Sequence, residues 1–103
     1  MKNINQLEWE NLIEETKNAA ILDVRTPQEC AQGIIPEAIQ LNFLQGNEFM
    51  KGLDKLDPTK TYFVYCRSGN RSLHACQLMQ SLGFESYNLI GGIISWSGQI
   101  VKP

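Results

Sequence analysis

Residues 61–72 read Thr61-Tyr62-Phe63-Val64-Tyr65-Cys66-Arg67-Ser68-Gly69-Asn70-Arg71-Ser72, a stretch that changes from apolar to polar at its cysteine. Its first half is β-branched and aromatic, which predicts a buried strand over residues 61–65. Beyond the polar half, apolar residues recur at spacings of three and four, which predicts a helix whose apolar face carries Ala75, Leu78, Met79 and Leu82. A buried strand joined to a helix by a tight polar loop predicts an α/β fold.

Strand and helix patterns also alternate on both sides of this stretch. Asn5 followed by Glu8 predicts the capped start of a helix that runs to about Thr16. Thr26, Pro27 and Glu29 predict the start of a second, short helix. Further predicted elements are strands at 20–24, 38–41 and 87–90, a helix over 45–56 interrupted at Gly52, and a last short helix from 93 to about 98. The chain is therefore predicted to form one domain over residues 1–103, with three layers: a central parallel sheet of about five strands and helices on both faces.

Composition and charge narrow the classes of function. Of the 103 residues, 43% are hydrophobic and 19% are charged, as in ordinary globular proteins and unlike disordered chains. No apolar run approaches the roughly 18 residues of a membrane span, and residues 1–6 lack the apolar segment of a signal peptide. The net charge of -2 argues against nucleic acid or a membrane surface as partner. Three cysteines without a secretory signal predict reduced thiols and a cytoplasmic location.

Charge is distributed unevenly along the chain. Residues 1–57 hold ten acidic and five basic side chains, whereas residues 58–103 hold one acidic and four basic ones. No Asp or Glu occurs from 58 to 84, a stretch that contains Arg67 and Arg71. This local excess of positive charge predicts a small anion as the partner.

Cys66 is the best candidate for chemistry. It follows a predicted buried strand, and ligands of open parallel sheets bind at the carboxyl ends of the strands. Gly69 allows a positive φ, so that loop N–H groups and the start of the next helix can face one anion. The same groups, together with Arg67 and Arg71, lower the pKa of a thiol, which predicts a thiolate nucleophile at Cys66. The alternative is a buried structural cysteine, which the polar, arginine-flanked loop disfavours.

Four segments, in the right order, give the chain a close likeness to a known family. The loop from Cys66 to Ser72 resembles the active-site loop of the rhodanese (thiosulfate sulfurtransferase) domains. The other matching segments are Leu22-Asp23-Val24-Arg25 with Glu29, Gly33-Ile34-Ile35-Pro36-Glu37-Ala38-Ile39, and Leu82-Gly83-Phe84 followed by Gly91-Gly92-Ile93 and Trp96. The resemblance covers nearly the whole chain and implies the rhodanese-like α/β fold.

The resemblance also implies sulfur transfer by covalent catalysis. The Cys66 thiolate would attack the outer sulfur of thiosulfate or a related donor, and cyanide, a thiol or an acceptor protein would remove the sulfur from the resulting persulfide. No metal is expected, and no cofactor beyond this covalent intermediate. Loop N–H groups would stabilise the persulfide, and the two arginines would hold the dianionic donor. The substrate-binding residues implied by the resemblance are Arg67, Ser68, Gly69, Asn70, Arg71 and Ser72.

Residues outside the loop are expected to play structural roles. Asp23 and Arg25, at the end of the neighbouring strand, are expected to brace the loop by ion pairing. Ile34 and Glu37 stand where the family usually has histidine and glycine. We therefore expect the 33–38 loop to lose a local hydrogen bond and to run differently, without effect on the sulfur chemistry. Two further expectations are that Cys76 is a packed thiol and that His74 is exposed on its helix, whereas the role of Cys30 stays open.

Three other functions stay open at this point. Phosphatases and arsenate reductases of related design enclose five residues between cysteine and arginine, whereas Cys66 and Arg71 enclose four, and residues 67–84 offer no aspartate as general acid. A non-catalytic binding module of this fold is a second alternative, although such copies often lack the cysteine. A sulfur-relay protein is the third, and it uses the same persulfide as an enzyme does.

Overall fold

Five parallel strands form the central sheet of the computed structural model, which describes residues 1–103. The elements, in chain order, are β1 (Lys2–Ile4), α1 (Gln6–Glu15), β2 (Ala19–Asp23), α2 (Pro27–Cys30), β3 (Ile39–Gln40), α3 (Gly46–Asp54), β4 (Thr61–Tyr65), α4 (Asn70–Ser81), β5 (Glu85–Leu89) and a 3₁₀ turn (Ile93–Ser95). The strands lie in the order β1-β5-β4-β2-β3, which puts β4 at the centre. Every pairing is parallel, so the predicted fold class is confirmed.

The central strand β4 is buried on both faces. Its residues from Tyr62 to Tyr65 are each at most 1% exposed, which explains an apolar run at consecutive rather than alternate positions. Successive side chains of a strand point to opposite faces. Tyr62, Val64 and Cys66 therefore belong to one core cluster. Phe63 and Tyr65 belong to the other.

Different helices cover the two faces of the sheet. Helices α3 and α4 cover the face that carries Cys66, through Phe49 and Leu53 of α3 and Met79 of α4. Helix α1 covers the other face, where the ring of Trp9 meets Phe63 edge-on at a centroid distance of 5.5 Å. Both predicted caps are present: Asn5 with Glu8 at the start of α1, and Thr26 with Glu29 at the start of α2. None of these helices has the length and apolar composition that crossing a bilayer requires.

Three details of the predicted helices are wrong. Helix α3 runs through Gly52 without interruption. The glycine makes room for Leu41, because a Cβ at position 52 would overlap the Leu41 side chain. The last predicted helix is only the 3₁₀ turn. Leu82 is 47% exposed and caps α4 instead of facing the core. The buried face of α4 consists of Ser72, Ala75, Cys76 and Met79.

In the 33–38 loop, Glu37 has a backbone conformation that glycine adopts more readily. Glu37 has a φ of 69° and is the only residue other than glycine with a positive φ. Such a conformation costs a residue with a Cβ about 1–2 kcal/mol. The nearby Ile34 is buried and exchanges backbone hydrogen bonds of 2.8 and 2.9 Å with Val101. The loop is thus anchored through its main chain.

Candidate active site

The sulfur of Cys66 lies where β4 ends, and it accepts two hydrogen bonds from its own loop. The Gly69 N–H donates to Sγ at 3.1 Å, and the Ser72 hydroxyl donates at 3.3 Å. Cys66 is 1% exposed and Ser72 is fully buried, so water competes little for these donors. The loop is therefore folded around the side chain of its first residue.

These contacts lower the pKa of the Cys66 thiol. Burial acts in the opposite direction, because a thiolate loses its hydration in the core. Hydrogen bonds from the Ser72 hydroxyl and from the N–H groups of Ser72, Gly69 and Ser68 outweigh burial, so the pKa lies below its ordinary value. Helix α4 begins at Asn70, so its N-terminus also adjoins the loop.

The other two cysteines have the opposite character. Burial is the leading cause that raises the pKa of Cys30 to about 11, with the Asp23 carboxylate adding to the effect. Burial likewise raises the pKa of Cys76 to about 11. Both thiols are protonated at neutral pH, which leaves Cys66 as the one thiol suited to nucleophilic attack. The packed state expected for Cys76 and the exposed position expected for His74 are confirmed.

The loop from Cys66 to Ser72 is supported by Asn88 of β5. Gly69 has a φ of 107°, which a glycine adopts readily. Its carbonyl accepts a hydrogen bond of 3.2 Å from the side-chain amide of Asn88, and the same amide donates to Asn3 Oδ1 at 2.8 Å. Because Asn88 is 3% exposed, it supports from within the core the residue whose N–H faces the sulfur.

A second support, which the sequence did not reveal, is the turn at Gly91 and Gly92. The N–H of Ile93 donates to the Cys66 carbonyl and that of Ile94 to the Arg67 carbonyl, each at 3.0 Å. A Cβ on Gly92 would lie 2.6 Å from the Cys66 carbonyl oxygen. Position 92 therefore requires glycine because the turn touches the loop backbone directly. The glycine pair was the available signal, but spacing alone marks it only as a turn.

The two loop arginines are in different situations. Arg71 makes a bidentate ion pair with Glu29 of α2, with Nη1–Oε1 and Nη2–Oε2 distances of 2.7 and 2.8 Å. The Arg71 hydrogen bonds lower the pKa of Glu29 to about 2. Arg67 is exposed and makes no salt bridge. The sequence alone does not distinguish the two arginines. In the structure, Glu29 compensates the charge of Arg71, whereas Arg67 has no carboxylate partner.

Asp23 and Arg25 pair with each other and do not touch the Cys66 loop directly. Their closest contact joins Arg25 Nη2 to Asp23 Oδ2 at 2.7 Å, and both side chains are buried. Arg25 also donates to the carbonyls of Gly33 at 2.7 Å and Glu29 at 3.4 Å. The predicted ion pair is therefore present, whereas its bracing of the loop stays a prediction. The pair fixes the 29–33 segment and reaches the loop only through Glu29.

A cleft of about 310 Å³ opens beside Arg67. Its walls combine apolar, amide and charged side chains: Ile93, Ile94, Gln28, Gln32, Arg25, Glu29 and Arg67. The remaining loop residues Ser68 and Asn70 are also exposed. The candidate site therefore consists of a buried thiol with a lowered pKa, a polar loop around it and an open cleft beside Arg67.

Comparisons with known proteins agree with this geometry. The family of the rhodanese-like domain matches residues 6–99. YtwF of Bacillus subtilis, a proposed sulfurtransferase, is 35% identical over 103 residues, which cover 100% of this chain and 96% of that protein. A sulfurtransferase of Allochromatium vinosum is 36% identical over 102 residues, with coverages of 91% and 89%. The crystal structure of a rhodanese-like domain protein from Staphylococcus aureus superposes with a TM-score of 0.85 at 28% identity, covering 100% and 99% of the two chains.

Proposed function

The chain belongs to the rhodanese-like domain family, and on this premise we propose that it is a sulfurtransferase that carries sulfur as a persulfide on Cys66. The observation that carries the proposal is the Cys66 thiol itself, since its pKa is lowered and its Sγ accepts two hydrogen bonds. The proposed catalytic unit is the single domain formed by residues 1–103. It uses no metal and no cofactor besides the covalent intermediate.

In the first step, the Cys66 thiolate attacks the outer sulfur of a sulfane donor. With thiosulfate, a bond forms between Cys66 Sγ and the outer sulfur, and the S–S bond of thiosulfate breaks. Sulfite leaves with the electron pair of that bond, and the charge of the persulfide, Cys66–S–S⁻, stays on the protein. The guanidinium of Arg67, which makes no salt bridge, would hold the oxyanion end of the donor.

The loop stabilises the persulfide while it waits for an acceptor. Gly69 N–H and the Ser72 hydroxyl keep Sγ in position. Polar groups surround the outer sulfur, namely the backbone of Ser68 and Asn70 and the start of α4. Their preorganised N–H groups stabilise the negative charge of the persulfide. In the second step, cyanide or a thiolate attacks the outer sulfur, and Cys66 leaves as the thiolate that its lowered pKa favours.

An intact-mass measurement tests the proposal. The reduced protein is incubated in turn with thiosulfate and with an organic thiosulfonate, then with cyanide, beside a Cys66→Ser variant. We expect a gain of one sulfur atom that cyanide removes and that the variant does not show. A folded protein with a free Cys66 thiol that gains no sulfur from any sulfane donor contradicts the proposal. Hydrolysis of an aryl phosphate by that protein would then favour the phosphatase alternative.

A further inference from the structure

The positive charges near Cys66 are mostly cancelled by carboxylates of the same region. Arg25 is paired with Asp23, and Arg71 is paired with Glu29. Arg67 alone has no carboxylate partner. With Cys66 ionised, the three arginines face two carboxylates and one thiolate, so the site carries no net positive charge before a donor arrives. A donor with two negative charges meets weaker attraction here than the number of arginines suggests.

Glu29 is fixed in the position that neutralises Arg71. Its carboxylate accepts two hydrogen bonds from the guanidinium, the strong bidentate arrangement of this ion pair. Oε1 also accepts from the N–H and the hydroxyl of Thr26, each at 3.1 Å, as part of the helix cap. The carboxylate is thus held by two elements at once. Arg71 retains further N–H donors, since a guanidinium has five, but its charge is compensated.

The cleft beside Arg67 has space and chemistry for an organic group. Its volume of about 310 Å³ lies at the lower end of the range of about 300–1,000 Å³ that small-molecule pockets span. Ile94 is 59% exposed on its wall. Gln28 and Gln32 add amides, which bind polar groups without adding charge. A small anion alone leaves most of this cleft empty.

We propose that Glu29 is a specificity-determining residue, which adapts the site to sulfane donors that carry one negative charge and an organic substituent, in preference to dianionic thiosulfate. The inference rests on the proposed sulfurtransferase function and names the substrate class of that site. Arg67 binds the single charge, and the substituent lies in the cleft along Ile93 and Ile94. Glu29 disfavours the second charge because it compensates Arg71.

An organic thiosulfonate, R–SO₂–S⁻, represents this class. The Cys66 thiolate attacks its outer sulfur, the S–S bond of the donor breaks, and the sulfinate R–SO₂⁻ leaves with the electron pair. Cys66–S–S⁻ remains, so two negative charges stand on each side of the reaction. Methanethiosulfonate and thiosulfate transfer the same sulfur and differ by a methyl group in place of one charged oxygen, which makes them a matched pair of probes.

The test compares kcat/KM for these two donors, with cyanide as acceptor, in the wild type and in Glu29→Gln. Glutamine can still close the helix cap of α2 but no longer compensates Arg71. We expect kcat/KM for thiosulfate to rise by about tenfold relative to that for methanethiosulfonate, the lower end of what a hydrogen bond to a charged group contributes. Because variants are compared, the intrinsic reactivities of the donors cancel.

Two further variants separate specificity from stability and from overall charge. Glu48→Gln removes the same charge from an exposed position on α3, and it should leave the ratio of the two donors unchanged. Gln32→Glu adds a carboxylate to the cleft and should lower the use of thiosulfate further. A Glu29→Gln variant that keeps the wild-type ratio, or loses both activities equally, overturns the inference. If neither donor adds sulfur to Cys66 of the wild type, the proposed function itself fails.

Discussion

Cys66 and Cys76 are both buried in the same core cluster, yet their thiols have opposite properties. Cys66 is 1% exposed and Cys76 is fully buried. The pKa of Cys66 is lowered, whereas burial raises the pKa of Cys76 to about 11. Burial alone therefore does not decide the pKa of a cysteine, and the difference comes from the hydrogen-bond donors around each sulfur, which at Cys66 are the Ser72 hydroxyl and N–H groups of the loop.

The backbone provides hydrogen-bond donors at one cysteine and not at the other. Cys76 lies in the middle of α4, where backbone N–H groups are engaged along the helix. Cys66 lies at the turn between β4 and α4, where the first N–H groups of a helix have no partner within it. The positive φ of Gly69 directs such donors toward the sulfur. The place of a cysteine in the chain therefore determines its chemistry here.

The largest expected effect comes from removing each thiol in turn. Cys66→Ser should abolish sulfur transfer, because no other cysteine has a lowered pKa. Cys76→Ser should keep transfer at a level close to the wild type, at some cost in stability from burying a hydroxyl. Turnover with cyanide as acceptor measures sulfur transfer by both variants, and thermal unfolding measures their stability. A Cys66→Ser variant that still turns over would place the nucleophile elsewhere.

The second-largest effect is expected at Gly92, in the turn that supports the loop from Cys66 to Ser72. Gly92→Ala should destabilise the protein by roughly 2–5 kcal/mol, because it combines a positive φ with overlap against the loop carbonyls. Gly83→Ala is the matched control: its φ is also positive, but a Cβ there meets nothing within 4 Å. It should cost only about 1–2 kcal/mol. Equal losses in urea unfolding would mean that the turn does not support the loop.

A smaller effect is expected from the hydroxyl that faces the sulfur. Ser72→Ala removes one of the groups that lower the pKa of Cys66. The pKa should rise, so the rate of transfer should fall by about tenfold at neutral pH and recover as the pH increases. Ser81→Ala, at an exposed position of the same helix, should change nothing. A pH profile of Ser72→Ala that coincides with that of the wild type would show that the Ser72 hydroxyl does not lower the pKa of Cys66.

Local patterns in the sequence predicted local structure well. Residues 61–65 are the observed bounds of β4 because five β-branched or aromatic residues in a row fit a strand that is buried on both sides. The caps at Asn5 and Thr26 were visible because each depends on a glutamate three residues later. The same proximity along the chain makes the candidate nucleophile Cys66 and its loop recognisable.

Contacts between distant segments could not be predicted in this way. Glu29 and Arg71 are 42 residues apart, and they meet only because β2 lies beside β4 in the sheet. The predicted helix break at Gly52 is wrong, because this glycine makes room for Leu41, a residue distant along the chain. The support that Gly92 gives to the loop also depends on the order of the strands. Spacing along a chain contains little information on which elements become neighbours.

The most direct test of the contrast between Cys66 and Cys76 is an ultraviolet titration of the thiolate. The absorbance of the wild type is recorded against pH, and the curves of Cys66→Ser and Cys76→Ser are subtracted from it. The difference for Cys66 should show a thiolate that forms below the ordinary pKa of 9.0, whereas the difference for Cys76 should stay flat in that range. A Cys66 difference that appears only at or above pH 9.0 would contradict the account, because the loop would then not stabilise a thiolate.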